Sequence, residues 1–317
     1  MSYDPQVKAL LAEIAADGRP SHRELPLPEG RRNFVEKYAP LSAAAPVLRA
    51  DDIAIDGTKG VLRLRAYRPE GRPPRTALLF LHGGGFVFGD LDSHDGLCRL
   101  LANVAGTVVV SVDYRRAPEH PYPAALDDAY TACLWLAAQS PALGIDRRRL
   151  AVGGDSAGGN LAAAVALLAR DLGGPRLAGQ LLLYPALDPG LDSPSAREFA
   201  SDPFLDRAEI DWYWQRYLGL TSPGDAPYAN PLLAADLSRL PPAHIVIAEN
   251  DPLRDGGKEY GRRLEEAGIP VQVALYPGMP HGFLSMTGRL DVARAAVAEI
   301  GQALCAQLNR AALTTKD

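Results

Sequence analysis

Short apolar runs recur along the chain: TALLFLH (76–82), TVVVSVDY (107–114), RLAVGGD (149–155), GQLLLYP (179–185), HIVIAEN (244–250) and VQVALYP (271–277). Brief apolar runs bounded by turn formers mark strands buried on both faces, as in parallel sheets. GVLRLRAYRP, which starts at Gly60, alternates instead and predicts a strand near a sheet edge. Helical spacing at about 123–139, 157–171 and 254–267 places helices between the strands, and 291–308 predicts a C-terminal helix. Alternating strands and helices predict an α/β fold, a mostly parallel sheet with helices on both faces.

Two stretches stand outside this rhythm. At the start, Asp4 can cap a helix, Pro5 suits its first position and Gly18 can end it. Val7, Leu10, Leu11 and Ile14 give that helix one apolar stripe. A Pro-rich link from Pro20 to Pro28 follows, and Phe34, Val35 and Tyr38 suggest a second short helix. The arm either packs simply on the body or forms a lid over a site further on. Residues 186–243 then separate two strands, and so long a connection is usually an insertion with a job. It carries DPFLDRAEIDWYWQRYLGL, whose Trp212, Tyr213, Trp214 and Tyr217 either pack a helix or wall a pocket.

Composition narrows the class. Hydrophobic residues are 47% and charged residues 22% of 317, ordinary globular usage that argues against a disordered, collagen-like or disulfide-scaffold chain. At roughly 150 residues per domain the length suggests about two domains, although α/β folds often run longer as one. A net charge of −5 argues against nucleic acid as a partner. Three cysteines, at 98, 133 and 305, without CxxC spacing suit a reduced, cytoplasmic protein. Cys133 and Cys305 lie in apolar helical patterns and read as buried structural thiols. The N-terminus lacks a basic start followed by an apolar run, so no signal peptide is expected. No stretch reaches the ~18 apolar residues of a membrane span.

The chemistry begins at GGDSAGG (153–159), a G-x-S-x-G pattern around Ser156. A predicted strand runs into it and a predicted helix leaves it. That is the strand–turn–helix elbow that holds a serine exposed in a strained turn. Gly154 and Gly158 lack a Cβ and let strand and helix approach. The helix N-terminus adds amide N–H groups and partial positive charge. A serine hydroxyl needs a base, and in hydrolases with this elbow the order along the chain is Ser, then Asp or Glu, then His. Only His244 and His281 follow Ser156. His244 lies inside a strand and reads as a core or edge residue. His281 lies in YPGMPHGF, a Gly- and Pro-rich loop past a strand, and is the candidate base. Asp251, directly after HIVIAEN, falls at the carboxyl end of a strand on the elbow's edge of the sheet and is the candidate acid. Asp255 is the alternative, with a capping or structural role as its simpler reading.

Acyl transfer also needs donors for a developing oxyanion. LHGGGFVFG (81–89) follows the third strand and offers bare backbone N–H groups. A phosphate loop is disfavoured, because both GK[ST] and GxGxxG are missing. A flexible turn is the simplest alternative. Gly84 and Gly85, with Ala157 after the nucleophile, are the expected donors, Gly83 is a further candidate, and His82 is expected to brace the loop.

Together HGGGFVFG, YRRAPEHPYPAALDD (114–128), GDSAGG, YPALD (184–188), DPLRD and HGF resemble the bacterial hormone-sensitive-lipase-like esterases, family IV of the lipolytic enzymes. The likeness covers nearly the whole chain. It implies an α/β-hydrolase fold with an eight-stranded sheet and a helical cap, here formed by about 1–45 and 188–230 on a single catalytic domain. It places nucleophile, acid and base on Ser156, Asp251 and His281. It implies cleavage of short- to medium-chain acyl esters with no cofactor and no metal, and is compatible with a homodimer. Arg116 stands where the family usually has Leu, and Gly256 where it usually has Glu; neither is in the triad. Pro121 and Pro123 are expected to fix the start of the next helix, and Asp127 and Asp128 to tie loops by ion pairs.

These readings converge on a cytoplasmic carboxylesterase acting on small-molecule esters. The same machinery on amides, lactones or acetylated small molecules is the nearest alternative. A ligand-binding protein on this scaffold is the rival from another class: plant gibberellin receptors resemble the family without the histidine, which here is present as His281. From position and apolar character, Phe86 and Phe88 are expected to line one side of the substrate pocket, and Phe34, Tyr38, Phe204, Trp212 and Trp214 the other.

Overall fold

The computed structural model describes residues 3–311 except 19, 71–74, 191, 223–225 and 227. In chain order the elements are α1 (Pro5–Asp17), α2 (Leu27–Tyr38), β1 (Arg49–Gly57), β2 (Gly60–Arg68), β3 (Ala77–Leu81), α3 (Asp95–Ala105), β4 (Val108–Asp113), α4 (Ala124–Gln139), β5 (Leu150–Asp155), α5 (Ala157–Asp171), β6 (Gly179–Leu183), α6 (Pro194–Glu198), α7 (Arg207–Leu218), β7 (Ala243–Asn250), α8 (Arg254–Glu266), β8 (Val271–Pro280) and α9 (Asp291–Ala311). The strands form one eight-stranded sheet in the order β1-β2-β4-β3-β5-β6-β7-β8. β2 runs antiparallel to both β1 and β4, and every pair from β4 to β8 is parallel.

The continuous apolar runs have a direct cause. Successive strand side chains point to opposite faces, and both faces are covered. Leu79 and Leu81 of β3, Leu182 of β6 and Ile245 and Ile247 of β7 enter the layer under α4, α5 and α8. Leu78 and Phe80, Leu181 and Leu183, and Val246 and Ala248 enter the opposite layer with α1, α3 and α9. The predicted edge strand is β2, and it is covered by a further strand that the sequence reading did not place. That strand, β1, buries only Ile55, so its pattern carries little apolar signal. Helix α3 was also not anticipated.

The first helix is as expected. Asp4 accepts a hydrogen bond from the Gln6 amide at 2.8 Å, and Gly18 closes the helix in the left-handed region. Residues 191, 223–225 and 227 of the long interval lie outside the described residues. Cys98 and Cys133 are buried, whereas Cys305 is only half-buried, less than its helical pattern predicts. Among the described residues no helix is long and apolar enough to cross a membrane.

Candidate active site

Three strands deliver the candidate catalytic groups to one edge of the sheet. β5 ends at Asp155, and Ser156 follows as the N-cap of α5 with φ 55° and ψ −118°. A non-glycine residue there is strained, and such strain persists only where the surroundings over-determine it. They do: the Ser156 amide donates to the Leu183 carbonyl at 2.9 Å, and the Ser156 carbonyl accepts from Ala186 at 3.0 Å and Asn160 at 3.1 Å. A Cβ on Gly158 would lie 1.9 Å from the Leu81 carbonyl oxygen, so only glycine lets α5 start this close to β3.

β7 ends at Asn250, and Asp251 follows, fully buried. β8 runs to Pro280, three residues beyond the apolar run, and places His281 next. His281 Nδ1 lies 2.7 Å from Asp251 Oδ2, and His281 Nε2 lies 2.9 Å from Ser156 Oγ. Asp251 Oδ1 accepts from the Leu253 amide at 2.8 Å, which fixes the carboxylate plane. Burial opposes protonation of His281, but the charge of Asp251 and its hydrogen bond prevail and raise the imidazole above its ordinary value of 6.5.

The other candidates go elsewhere. His244 is buried in β7, where burial pushes it down to about 4, as a core residue should behave. Asp255 accepts from the Ser195 amide at 2.8 Å and pairs with Arg254 at 3.0 Å, a structural tie between α6 and α8. Asp128 binds the Arg115 guanidinium at 2.8 and 2.9 Å, the expected loop tie. No ion pair is found for Asp127 among the described residues.

The glycine loop divides its labour. Gly84 and Gly85 line the cleft beside Ser156, and Ala157 is the buried first residue of α5. The Gly83 amide, a candidate donor, is instead taken by Asp155 Oδ1 at 2.9 Å. Burial raises the Asp155 carboxyl, but His94 and the Gly83 N–H more than offset it and hold it below the ordinary range. His82 braces the loop: Nδ1 bonds the Gly83 carbonyl at 2.8 Å and the ring stacks on Tyr114 at 4.2 Å. Burial, with His94 nearby, pushes it down to about 3, so it stays neutral. Arg116, where the resemblance has Leu, donates to the Gly89 carbonyl and so holds the far end of the loop. A Cβ at Gly256 would meet open space.

Above these groups lies an open cleft. Of the seven residues named for the substrate pocket, Phe34, Tyr38 and Phe204 line it. Phe86, Phe88, Trp212 and Trp214 do not: they form the packing behind its wall. Phe86 stacks on Tyr217 at 3.7 Å and meets Trp214 at 5.3 Å, and Phe88 lies parallel to Trp212 at 5.8 Å. Helical phase explains Trp214, which shares the buried stripe of α7 with Ile210, Tyr213 and Tyr217. His22, Leu205, Glu209 and Met286 line the cleft without having been predicted, and Tyr213, read as either helix packing or pocket wall, lines it as well. A Cβ on Gly85, at φ 60°, would fall 2.2 Å from the Tyr213 ring, so the glycine loop and α7 meet face to face.

Residues 78–285 match the family model described as alpha/beta hydrolase fold. The chain belongs to the alpha/beta hydrolase family. This hydrolase is 46% identical to Esterase LipI of Mycobacterium tuberculosis over 260 residues, 80% of this chain and 81% of that one. It is 40% identical to the ethyl acetate hydrolase of Pseudomonas putida over 317 aligned positions, 96% of this chain and 99% of that one. It superposes on the hyperthermophilic esterase of the archaeon Pyrobaculum calidifontis with a TM-score of 0.90 at 40% identity, covering 96% of this chain and 99% of that one. The resemblance to the hormone-sensitive-lipase-like branch and the eight-stranded α/β-hydrolase fold it implies are both upheld.

Proposed function

We propose that the hydrolase cleaves short- to medium-chain carboxylic esters through an acyl-enzyme on Ser156, with His281 as general base and Asp251 as its orienting carboxylate. It is a carboxylesterase, like the relatives just described; the residue roles and chain length are our reading. The observation that carries them is the continuous hydrogen-bonded line from Ser156 Oγ through His281 to Asp251. In this reading Ser156 Oγ attacks the ester carbonyl as Nε2 takes its proton. Asp251 holds the Nδ1–H tautomer and stabilises the imidazolium. The oxyanion is received by the amides of Gly84, Gly85 and Ala157, with Gly83 serving only to hold the loop. The alcohol leaves with the proton from His281, and water repeats the cycle. Buried, unpaired Cys98 and Cys133 are consistent with a cytoplasmic protein.

The arm and the interval 188–230 act as a cap. Tyr3 donates to Asp202 and joins the two pieces, and both contribute to the cleft wall. With both cap pieces walling the cleft, kcat/KM over p-nitrophenyl acyl esters should peak between about C4 and C8 and decline by C16. Efficiency that rises steadily to C16 would refute the cap as a length filter.

His281 must be neutral to act. Its raised pKa places the loss of kcat/KM on acidification above pH 6.5, with activity falling as pH drops through that midpoint. A profile from pH 4 to 9 measures it, and a midpoint below 6 would contradict the Asp251–His281 coupling.

A further inference from the structure

The cap wall of the cleft is apolar at Phe34, Phe204 and Leu205 but is interrupted by His22, Glu209 and Tyr213. Glu209 follows Asp206 in the D-x-x-E spacing of a capping box. Asp206 plays its part, accepting from the Glu209 amide at 2.6 Å. The Glu209 side chain turns elsewhere. Its Oε1 accepts from the Tyr213 hydroxyl at 2.7 Å and stands 3.2 Å from His22 Nε2, and that nitrogen is 2.9 Å from the Tyr213 oxygen.

This triangle leaves two atoms over. No described residue bonds Glu209 Oε2. His22, 5% exposed, has Nδ1 buried without a partner. The Tyr213 proton goes to Oε1, and Nε2 carries a His22 ring proton toward its two oxygen neighbours. Glu209 Oε2 is the acceptor left over. Burial raises the Glu209 carboxyl, but His22 and Tyr213 more than offset this and hold it below the ordinary range. A carboxylate in an apolar wall is costly unless its oxygens are partnered. Tying the arm to α7 would need only Oε1.

We propose that His22, Glu209 and Tyr213 form a recognition subsite for a hydrogen-bond donor on the substrate, a hydroxyl or a protonated amine remote from the scissile ester. The preferred substrates are then polar-tailed esters rather than plain alkyl esters. This rests on the esterase reading above. A site built to bond a polar group discriminates against an analogue that lacks it, because its own buried groups are left unpaired.

Two near-isosteric pairs test this: 6-hydroxyhexyl acetate against heptyl acetate, and p-nitrophenyl 6-hydroxyhexanoate against the heptanoate. The first carries the hydroxyl on the alcohol side and the second on the acyl side. In at least one pair the wild type should favour the hydroxylated member in kcat/KM by about tenfold or more, as for a hydrogen bond to a charged group. Glu209→Leu should reverse that preference. Glu209→Gln should keep the preference for hydroxyl and lose that for 6-(dimethylamino)hexyl acetate, separating donor recognition from charge recognition. A wild type that favours the methyl member in both pairs overturns the subsite, as does Glu209→Leu with an unchanged ratio. If Glu209→Leu does not fold, the wild-type ratios and Glu209→Gln decide. A wild type inert on every ester would refute the esterase reading itself, an outcome distinct from a reversed ratio.

Discussion

Ser156→Ala is expected to lower kcat on p-nitrophenyl butyrate by about 10⁵- to 10⁶-fold, the scale seen when a triad nucleophile is removed. Only the attacking oxygen disappears. The amide and carbonyl of residue 156 keep their bonds to Leu183, Ala186 and Asn160, so the elbow should survive. The lost side-chain bond to His281 is worth about 1 kcal/mol, a shift of roughly 1–2 °C in Tm for a chain of 317 residues. Kinetics and thermal unfolding measured on one preparation therefore separate lost chemistry from lost fold. Retention of even a tenth of the wild-type rate would sink the assignment of Ser156. A phosphonate that adds its mass to the wild type but not to the variant would identify the acylated oxygen. It would also dispose of the ligand-binding alternative, which requires no reactive serine.

The sequence disclosed the catalytic edge more fully than the cap. Ser156, Asp251 and His281 each follow a strand directly, and a strand buried on both faces is an unbroken apolar run. The ends of such runs are visible, and chemistry-bearing residues stand out against them. Gly83 was legible as part of the loop but not in its role, because whether an amide faces the cleft or Asp155 depends on a contact across 72 positions of chain. The cap fails for a similar reason. Phe86, Phe88, Trp212 and Trp214 are as apolar as Phe34 and Phe204, and composition cannot say which side of a wall a ring occupies. The 3.6-residue period of α7 would have set Trp214 on the buried stripe. Glu209 was hidden by its resemblance to an ordinary capping residue, and His22 by a Pro-rich link with no periodicity. β1 was missed because it is a polar edge strand that buries only Ile55.

Asp251→Asn should cost about 10⁴-fold in kcat, by analogy with the same change in a triad protease. The hydrogen bonds around residue 251 say why. One oxygen, Oδ1, accepts from the Leu253 amide at 2.8 Å, and the other faces His281 Nδ1 at 2.7 Å. An asparagine has one acceptor and one donor group. The buried Leu253 N–H requires the acceptor, so the carboxamide NH₂ must face His281. Nδ1 can then only accept, and the ring proton moves to Nε2, the atom that must receive the proton of Ser156. The side chain keeps its shape and its place, yet the base is delivered in the tautomer that cannot act. A 10⁴-fold loss corresponds to about 5.5 kcal/mol of transition-state stabilisation, far above the effect expected from a change in packing at equal volume. Asp255→Asn supplies the contrast. Its carboxylate serves Ser195 and Arg254, so its loss should change kcat by no more than a few-fold and appear instead as a modest drop in Tm. A 10⁴-fold loss at Asp255 with near-normal turnover at Asp251→Asn would reverse the assignment of the acid. The pH profile adds an independent sign. Without the Asp251 charge and hydrogen bond, only Asp155 and Asp202 still oppose the effect of burial on His281, and its pKa falls, so the residual activity of Asp251→Asn should persist to lower pH than that of the wild type.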